Sequence, residues 1–294
     1  MTLYLNFRSS PIAGSVVYPR LMRGDDTDPS RLALVPRAEI DGLFGGKNVL
    51  FVVHGFNVRQ RNGVASYAKL DRELGLSGSD VMVGVLWPGD FWIPAINYPF
   101  EGSDAMDCGD KLADYCGRFL GRAQRLSFMS HSLGARLVLR AVAALGAQKP
   151  KRKAGLVCVT AGAINMDCLE TEYAAAAANS EAIRVLASHE DSVLKVAFRI
   201  GDPISNILHD DHRFFEKALG YDGPSPGSVP LLAGNPWQIP DNYDYGHGSY
   251  LPPVDPIPPG DPLSWIRVAE YVRRAFFGQP QVPPSPFPPP DLAT

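Results

Sequence analysis

A short apolar run at residues 48–53 constrains the fold most strongly. The run is too short for a buried helix, and it offers no polar side that could face solvent. A strand that is apolar on both faces is typical of a parallel sheet, because helices cover both sides of such a sheet. We therefore expect residues 48–53 to form a buried strand of a parallel sheet.

Predicted strands and helices alternate along most of the chain that follows. The predicted strands are residues 81–86, 126–130, 155–160 and 183–187. The predicted helices are residues 62–74, 103–122 and 133–145, with an Ala-rich segment at 173–178. Parallel neighbours need a crossover connection, and right-handed crossovers cover both sides of the sheet with helices. The pattern predicts an α/β fold with a mostly parallel sheet and helices on both faces.

The two ends of the chain have weaker patterns. Residues 2–7 and 31–35 are predicted to be peripheral strands, and the Gly/Asp/Pro-rich stretch between them is predicted to be a loop. Beyond Asp202 we expect a helix at 204–219, a long Pro/Gly/Asn-rich connection and an amphipathic helix at 265–277. The last residues are Pro-rich, which favours polyproline II or disorder. We therefore expect one domain over residues 1–278 and a tail over 279–294.

Composition and charge argue against two classes of partner. The chain has 294 residues, with 28 Lys and Arg against 31 Asp and Glu. The basic residues are scattered, so no basic stripe is available to neutralise a nucleic-acid backbone. No segment is long and apolar enough to span a bilayer, and the N-terminus lacks the pattern of a secretion signal. We therefore expect no nucleic-acid partner, no membrane span and a cytoplasmic location.

The cysteines do not indicate a metal site. The chain has four of them and no C-x-x-C pair. They lie in helix-like or strand-like stretches, at Cys108, Cys116, Cys158 and Cys168. Small buried thiols are the simpler interpretation. We expect neither a metal nor a cofactor.

The central motif is Ser-His-Ser-Leu-Gly at residues 130–134, where a predicted strand turns into a predicted helix. A nucleophilic serine at such a turn needs small neighbours, because a bulky side chain would collide as the chain doubles back. Ser130 stands where glycine is usual, and Gly134 keeps the second glycine. The alternative is a helix N-cap serine without chemistry. Position after a buried strand favours Ser132 as the nucleophile, whereas the Ser130 side chain would still belong to the strand.

A second motif, His-Gly-Phe-Asn-Val at residues 54–58, directly follows the first buried strand. This is where an oxyanion hole would receive one of its backbone donors. We expect the N–H groups of Phe56 and Leu133 to bind the negative oxygen of a tetrahedral intermediate. His54 is expected to orient this loop by hydrogen bonding rather than to transfer protons, the alternative being an ordinary turn histidine.

The orienting acid is expected after the strand at 183–187. Glu190 and Asp191 are adjacent there, and Asp191 is favoured because the two side chains should point to different faces. The alternatives are a solvated loop carboxylate at either position and Asp202, further along the chain. A triad acid must hold the imidazole tautomer of the base.

Three histidines follow the acid and are candidates for the base. His209 and His212 lie three apart with two aspartates between them, which indicates either a solvated helix face or a metal site. His247 lies between two glycines in a loop upstream of the last helix. Because the predicted fold calls for a loop-borne histidine before the final helix, and the flanking glycines permit tight turns, we favour His247 as the base.

The chain resembles a largely uncharacterised family of bacterial α/β hydrolases through four segments taken in order: residues 54–58, residues 130–134, Ser-His-Glu-Asp at 188–191 and Gly-His-Gly-Ser-Tyr at 246–250. The family's H-G-[FY]-N and S-H-S-[ML]-G patterns match residues 54–57 and 130–134, and the resemblance runs from about residue 48 to residue 250. It implies the α/β-hydrolase fold and a triad of Ser132, Asp191 and His247. It also implies an esterase-like or lipase-like activity on a substrate that the family does not define.

A triad of this kind transfers acyl groups without a cofactor, so the expected partner is a small-molecule acyl substrate. Aromatic residues follow the predicted strands and either line the mouth of the site or pack inside: Phe56, Trp87, Phe91, Trp92 and Tyr98. Thioesterase, amidase and acyltransferase activities fit the same triad. A non-catalytic binding protein that docks a partner through the Pro-rich tail is a further alternative. The oligomeric state is left open.

Overall fold

The structure is a computed structural model. It describes residues 1–12, 14–25, 28–89, 94–199, 217–232, 237–254 and 263–279, with the backbone alone at 25, 29, 30, 94–102 and 196–199. The strands are β1 (Leu3–Arg8), β2 (Val16–Asp25), β3 (Asp28–Leu34), β4 (Asn48–Val53), β5 (Asp80–Leu86), β6 (Arg125–His131), β7 (Ala154–Thr160) and β8 (Ser180–Leu186). The helices are α1 (Arg37–Phe44), α2 (Gln60–Leu74), α3 (Pro94–Phe119), α4 (Gly134–Ala147), α5 (Ala174–Ala178), α6 (Ser192–Arg199), α7 (Leu219–Asp222) and α8 (Ser264–Phe276).

The eight described strands form one sheet in the order β3-β2-β1-β5-β4-β6-β7-β8. Every neighbouring pair in the part β1-β5-β4-β6-β7-β8 of this order is parallel. At the edge beyond β1, β2 pairs antiparallel with β1, and β3 pairs antiparallel with β2. The predicted α/β fold with a mostly parallel sheet is confirmed. The strand predicted at residues 48–53 is β4, and it is buried along almost its whole length between β5 and β6.

Helices cover both faces of the sheet because its strands are apolar on both sides. On one face, α1, α3, α4 and α5 pack against alternate residues of the central strands, such as Phe51 and Phe128. The rings of these two residues stack with their centroids 5.4 Å apart. On the other face, α2 and α8 pack against the intervening residues, such as Val52 and Met129. Each helix thus buries one apolar stripe, as the 3.6-residue period requires.

The beginning of the chain corrects two expectations. The stretch predicted to be a loop contains β2, and β1 is an internal strand rather than a peripheral one, since it lies between β2 and β5. Pro19 explains why β2 is hard to see in the sequence, because proline breaks a strand pattern. The register between β1 and β2 shifts there, from Asn6 opposite Arg20 to Arg8 opposite Val16, and the residues around Pro19 fall in the irregularity.

Helix α1 was not predicted from the sequence, and it is only eight residues long. The predicted helix at 204–219 lies almost entirely outside the described residues. The described part resumes at Lys217, just before the short helix α7. Residues 280–294 of the predicted Pro-rich tail also lie outside it.

Candidate active site

The carboxyl ends of the central strands bring distant parts of the chain to one edge of the sheet. β4 and β6 are parallel neighbours, with Val53 beside Ser130 in their register. On the other side of β6, Ser130 lies beside Val159 of β7. The segments that follow β4, β6 and β7 therefore begin at the same edge of the sheet. Ligands of open α/β sheets bind outside this end of the strands.

Ser132 lies in a strained turn between β6 and α4. Its φ is 53°, in the left-handed region that residues other than glycine seldom adopt. The end of β7 holds the turn, because Ser132 N–H donates to the Thr160 carbonyl at 3.0 Å and Ala163 N–H donates to the Ser132 carbonyl at 3.3 Å. The strand therefore turns sharply into a helix at the place where the sequence predicts it.

Two glycines explain why this turn and the loop after β4 can touch. A β-carbon on Gly134 would lie only 2.5 Å from the carbonyl oxygen of His54. A β-carbon on Gly55 would lie 2.7 Å from Cβ of Ser132. Real β-carbons do not approach other atoms this closely, and the backbone carbonyl next to Gly134 has little freedom to move. Each motif therefore needs its glycine in order to fit against the other.

We expect the Gly134→Ala substitution to destabilise the protein by about 2 kcal/mol, because the added methyl group overpacks the contact with the His54 carbonyl. Urea unfolding monitored by circular dichroism measures the loss. Gly42→Ala is the matched control, since a β-carbon on Gly42 in α1 meets open space. That substitution should gain about 0.5 to 1 kcal/mol from helix propensity. A Gly134→Ala variant as stable as wild type would contradict the close approach.

The structure brings three of the predicted site residues into hydrogen-bond contact. The distance from Ser132 Oγ to His247 Nε2 is 2.8 Å. The distance from His247 Nδ1 to Asp191 Oδ2 is also 2.8 Å. A carboxylate can only accept, so Nδ1 of His247 carries the proton and Nε2 is left as an acceptor for the Ser132 hydroxyl. The imidazole is thus in the tautomer that a general base requires.

Asp191 is fixed at both of its carboxylate oxygens. While Oδ2 accepts from His247, Oδ1 accepts Leu194 N–H at 3.0 Å, which makes Asp191 the N-cap of α6. The Asp191 side chain is fully buried, and the neighbouring Glu190 is exposed. Of the two adjacent carboxylates, the structure therefore places Asp191 and not Glu190 against His247. Asp202 lies outside the described residues.

The loop after β4 is held from three directions. The indole N–H of Trp87 donates to the His54 carbonyl at 2.8 Å. Asn57 N–H donates to the carbonyl of Gly89, and the guanidinium of Arg8 donates from Nη2 to the carbonyl of Val58. The sequence did not predict that the side chains of Arg8 and Trp87 hold this loop by hydrogen bonds. The one available signal was the arginine that ends the apolar strand β1, because a buried arginine needs acceptors.

Of the two alternatives that the sequence leaves open for Trp87, the structure shows packing inside the protein and not a place at the mouth of the site. Its side chain is fully buried and stacks on the His54 ring with centroids 5.7 Å apart. His54 itself is buried, and its Nδ1–H donates to the Gly55 carbonyl at 2.8 Å. Burial, followed by the nearby charge of Arg8, lowers the pKa of His54 to about 3. With so low a pKa, the His54 ring carries no charge near pH 7. That His54 orients the loop instead of transferring protons stays a prediction.

Of the two predicted oxyanion donors, Leu133 directly follows Ser132, and Phe56 lies in the loop after β4. Leu133 is the residue at the start of α4, and no described residue accepts its N–H. Phe56 follows Gly55, whose backbone is in close contact with Ser132, and its side chain packs partly buried against the core. The N-terminal end of α4 adds its own partial positive charge at this point.

The remaining predictions concern the cysteines, the other candidate histidines and aromatic residues, metal binding and membrane spans. All four cysteines are buried and free, as expected, and burial raises the pKa of Cys116 and Cys158 to about 12. His209, His212, Phe91 and Trp92 lie outside the described residues, and only the backbone of Tyr98 is described. Among the residues that are described, no three His, Cys, Asp or Glu side chains are grouped to hold a metal ion. Within the same ranges, no helix has the length and apolarity needed to cross a bilayer.

Comparisons with known proteins agree with this architecture. The family described as an alpha/beta hydrolase of unknown function (DUF900) matches residues 44–211, which is more than half of the chain. The match includes the loop after β4, the Ser132 turn and Asp191. A search of curated proteins found no significant match. On the strength of its fold and of the family match, the chain belongs to this family of α/β hydrolases.

Proposed function

We propose that this chain is a serine hydrolase that cleaves a carboxylic ester through an acyl-enzyme on Ser132. The observation that carries the proposal is the pair of hydrogen bonds that links Ser132 Oγ to His247 and His247 to Asp191, each 2.8 Å long. A hydroxyl needs an adjacent base to become a useful nucleophile, and a base needs a third group to hold its tautomer. The three side chains meet both needs.

In the first half of the reaction, Ser132 Oγ attacks the ester carbonyl and passes its proton to Nε2 of His247. The imidazolium that forms is stabilised by the buried Asp191 carboxylate, which keeps its charge throughout. Nε2 then gives the proton to the leaving alkoxide, so the alcohol departs neutral and the acyl group remains on Oγ.

The negative oxygen of the tetrahedral intermediate needs donors that are already in place. We assign this task to the N–H groups of Leu133 and Phe56. The contacts of Arg8 and Trp87 with the loop after β4 favour this assignment, because preorganised donors lose no energy to reorientation during the reaction. Removal of one such donor in a hydrolase costs about 3 kcal/mol of transition-state stabilisation.

In the second half, water replaces the alcohol. His247 takes a proton from the water as it attacks the acyl carbonyl, and the same imidazolium then protonates Oγ of Ser132 as the carboxylic acid leaves. Each proton that His247 accepts is returned within the same half-reaction, so the cycle needs no cofactor.

We expect the wild-type protein to hydrolyse p-nitrophenyl esters of short or medium chain length and to react with a fluorophosphonate probe at one serine. Mass spectrometry of the labelled protein should identify that serine as Ser132. Thioester and amide analogues test for thioesterase and amidase activity, and an added alcohol or amine acceptor tests for acyltransferase activity. The kcat/KM values separate these activities from ester hydrolysis. A protein that is inert on every ester and is not labelled by the probe would overturn the proposal in favour of a binding protein.

We also propose that residues 1–278 form one hydrolase domain. One sheet contains strands from β1 to β8, and α8 packs on β7 and α2 although it lies near the other end of the sequence. Arg8 of β1 reaches the loop after β4, so the N-terminal strands contribute to the site as well as to the core.

A further inference from the structure

His131 lies between the proposed nucleophile and the loop that carries the proposed base. It is the last residue of β6 and directly precedes Ser132. Its Nε2 lies 2.7 Å from the backbone carbonyl oxygen of His247. The two imidazole rings are 4.9 Å apart between centroids, and the buried Tyr250 ring lies 6.0 Å away on the same loop.

The contact fixes the proton of His131. A carbonyl oxygen can only accept a hydrogen bond, so Nε2 of His131 must carry a proton and donate it. Burial, followed by the proximity of His247, lowers the pKa of His131 to about 3. The second nitrogen, Nδ1, is therefore unprotonated. It faces Gly55, where a β-carbon would lie 3.0 Å from it. His131 is thus a neutral donor that touches both loops of the site.

The His247 loop needs such a restraint. Gly246 and Gly248 flank His247, and glycine leaves the backbone free to adopt many conformations. Within the described residues, one backbone hydrogen bond closes the turn, from Ser249 N–H to the Gly246 carbonyl at 3.0 Å. The peptide carbonyl of His247 is held by His131, and its ring is held by Asp191 and Ser132.

We propose that His131 is a positioning residue that fixes the backbone of His247, so that Nε2 of His247 stays within reach of Ser132 Oγ. The inference rests on the proposed function, because it gives His131 a part in the same acyl transfer. This positioning role differs from a packing role, because it depends on the Nε2–H group of His131 and not on the volume of the His131 ring.

A pair of variants separates the two roles. His131→Phe keeps an aromatic ring of similar size and removes the donor, whereas His131→Gln keeps an N–H donor at the end of a flat group. We expect His131→Phe to lower kcat by about 10- to 100-fold with KM nearly unchanged, because displacement of a catalytic group by about 1 Å costs up to that much. His131→Gln should recover a large part of the loss. Rates are compared per folded molecule, with the folded fraction taken from thermal unfolding.

Proton NMR of the imidazole groups provides a readout that does not need turnover. The Nδ1–H proton of His247, bound to the Asp191 carboxylate, should give a low-field resonance in wild type and in His131→Gln but not in His131→Phe. In wild type, nitrogen chemical shifts should show His131 as a neutral ring protonated at Nε2 at pH 7.

Three results would overturn the inference. The first is an unchanged kcat and an unchanged low-field resonance in His131→Phe. The second is a loss in His131→Gln as large as the loss in His131→Phe. The third, which needs only the wild-type protein, is a His131 ring without a proton on Nε2. If wild type shows no ester hydrolysis and no probe labelling, the proposed function fails, while the resonances still test whether His131 fixes His247.

Discussion

The Ser132→Ala variant is expected to lose ester hydrolysis by at least about 10⁴-fold, because no acyl-enzyme can form without the hydroxyl. The fold should remain, since the substitution removes one oxygen and leaves the backbone bonds of the turn to Thr160 and Ala163 in place. The measurement is kcat on the best p-nitrophenyl ester, with the concentration of folded protein checked by circular dichroism. Labelling by the fluorophosphonate probe should disappear in the same variant.

Ser130→Ala is the matched control for this experiment. Ser130 is two residues away and fully buried, and its hydroxyl has no hydrogen-bond partner among the described residues. Removing an unpaired buried hydroxyl leaves no other group unsatisfied, so we expect near wild-type turnover and equal or higher stability. Loss of activity in Ser130→Ala with retention in Ser132→Ala would move the nucleophile to Ser130 and contradict the proposal.

The parts of the site that could be predicted from the sequence are those that lie next to buried strands. β4 and β6 are recognisable because they are short and apolar on both faces, and the residues that follow them must reach the same edge of the sheet. That rule was sufficient to place Ser132 beside the Gly55 loop. The same rule places Asp191 at this edge, since Asp191 follows β8, the last strand of the sheet.

The parts that could not be predicted depend on polar contacts between residues far apart in the chain. Arg8 and Val58 are 50 positions apart, and His131 and His247 are 116 positions apart. Such contacts leave no periodic pattern in a sequence, whereas burial of an apolar stripe does. Strand β2 was not predicted for a different reason, because Pro19 interrupts its strand pattern at the register shift.

The choice between Glu190 and Asp191 had a local signal that could have decided it. Asp is a preferred N-cap residue, and Glu is not, because the shorter side chain can reach back to the amides of the first helical turn. Asp191 caps α6 in this way through Leu194 N–H. The cap also turns the carboxylate inward, so the start of a helix fixes the residue that faces His247.

The Asp191→Asn substitution is expected to lower kcat by about 10⁴-fold while the protein remains folded. Both carboxylate oxygens of Asp191 accept hydrogen bonds, one from His247 and one from Leu194. Asparagine has only one acceptor oxygen. If its amide N–H₂ faces His247, Nδ1 must become the acceptor, and the proton moves to Nε2. Ser132 Oγ then faces an N–H group that cannot take its proton.

If the asparagine turns its oxygen to His247 instead, the amide N–H₂ faces Leu194 N–H and the cap of α6 is lost, at a cost of about 1 kcal/mol. The measurement is therefore kcat together with the melting temperature. Glu190→Gln is the matched control, because it removes the charge of the adjacent, exposed carboxylate, and it should keep wild-type turnover. Wild-type turnover in Asp191→Asn, combined with a large loss in Glu190→Gln, would show that the acid is Glu190. The hydrogen bond between Asp191 and His247 would then be without a catalytic role.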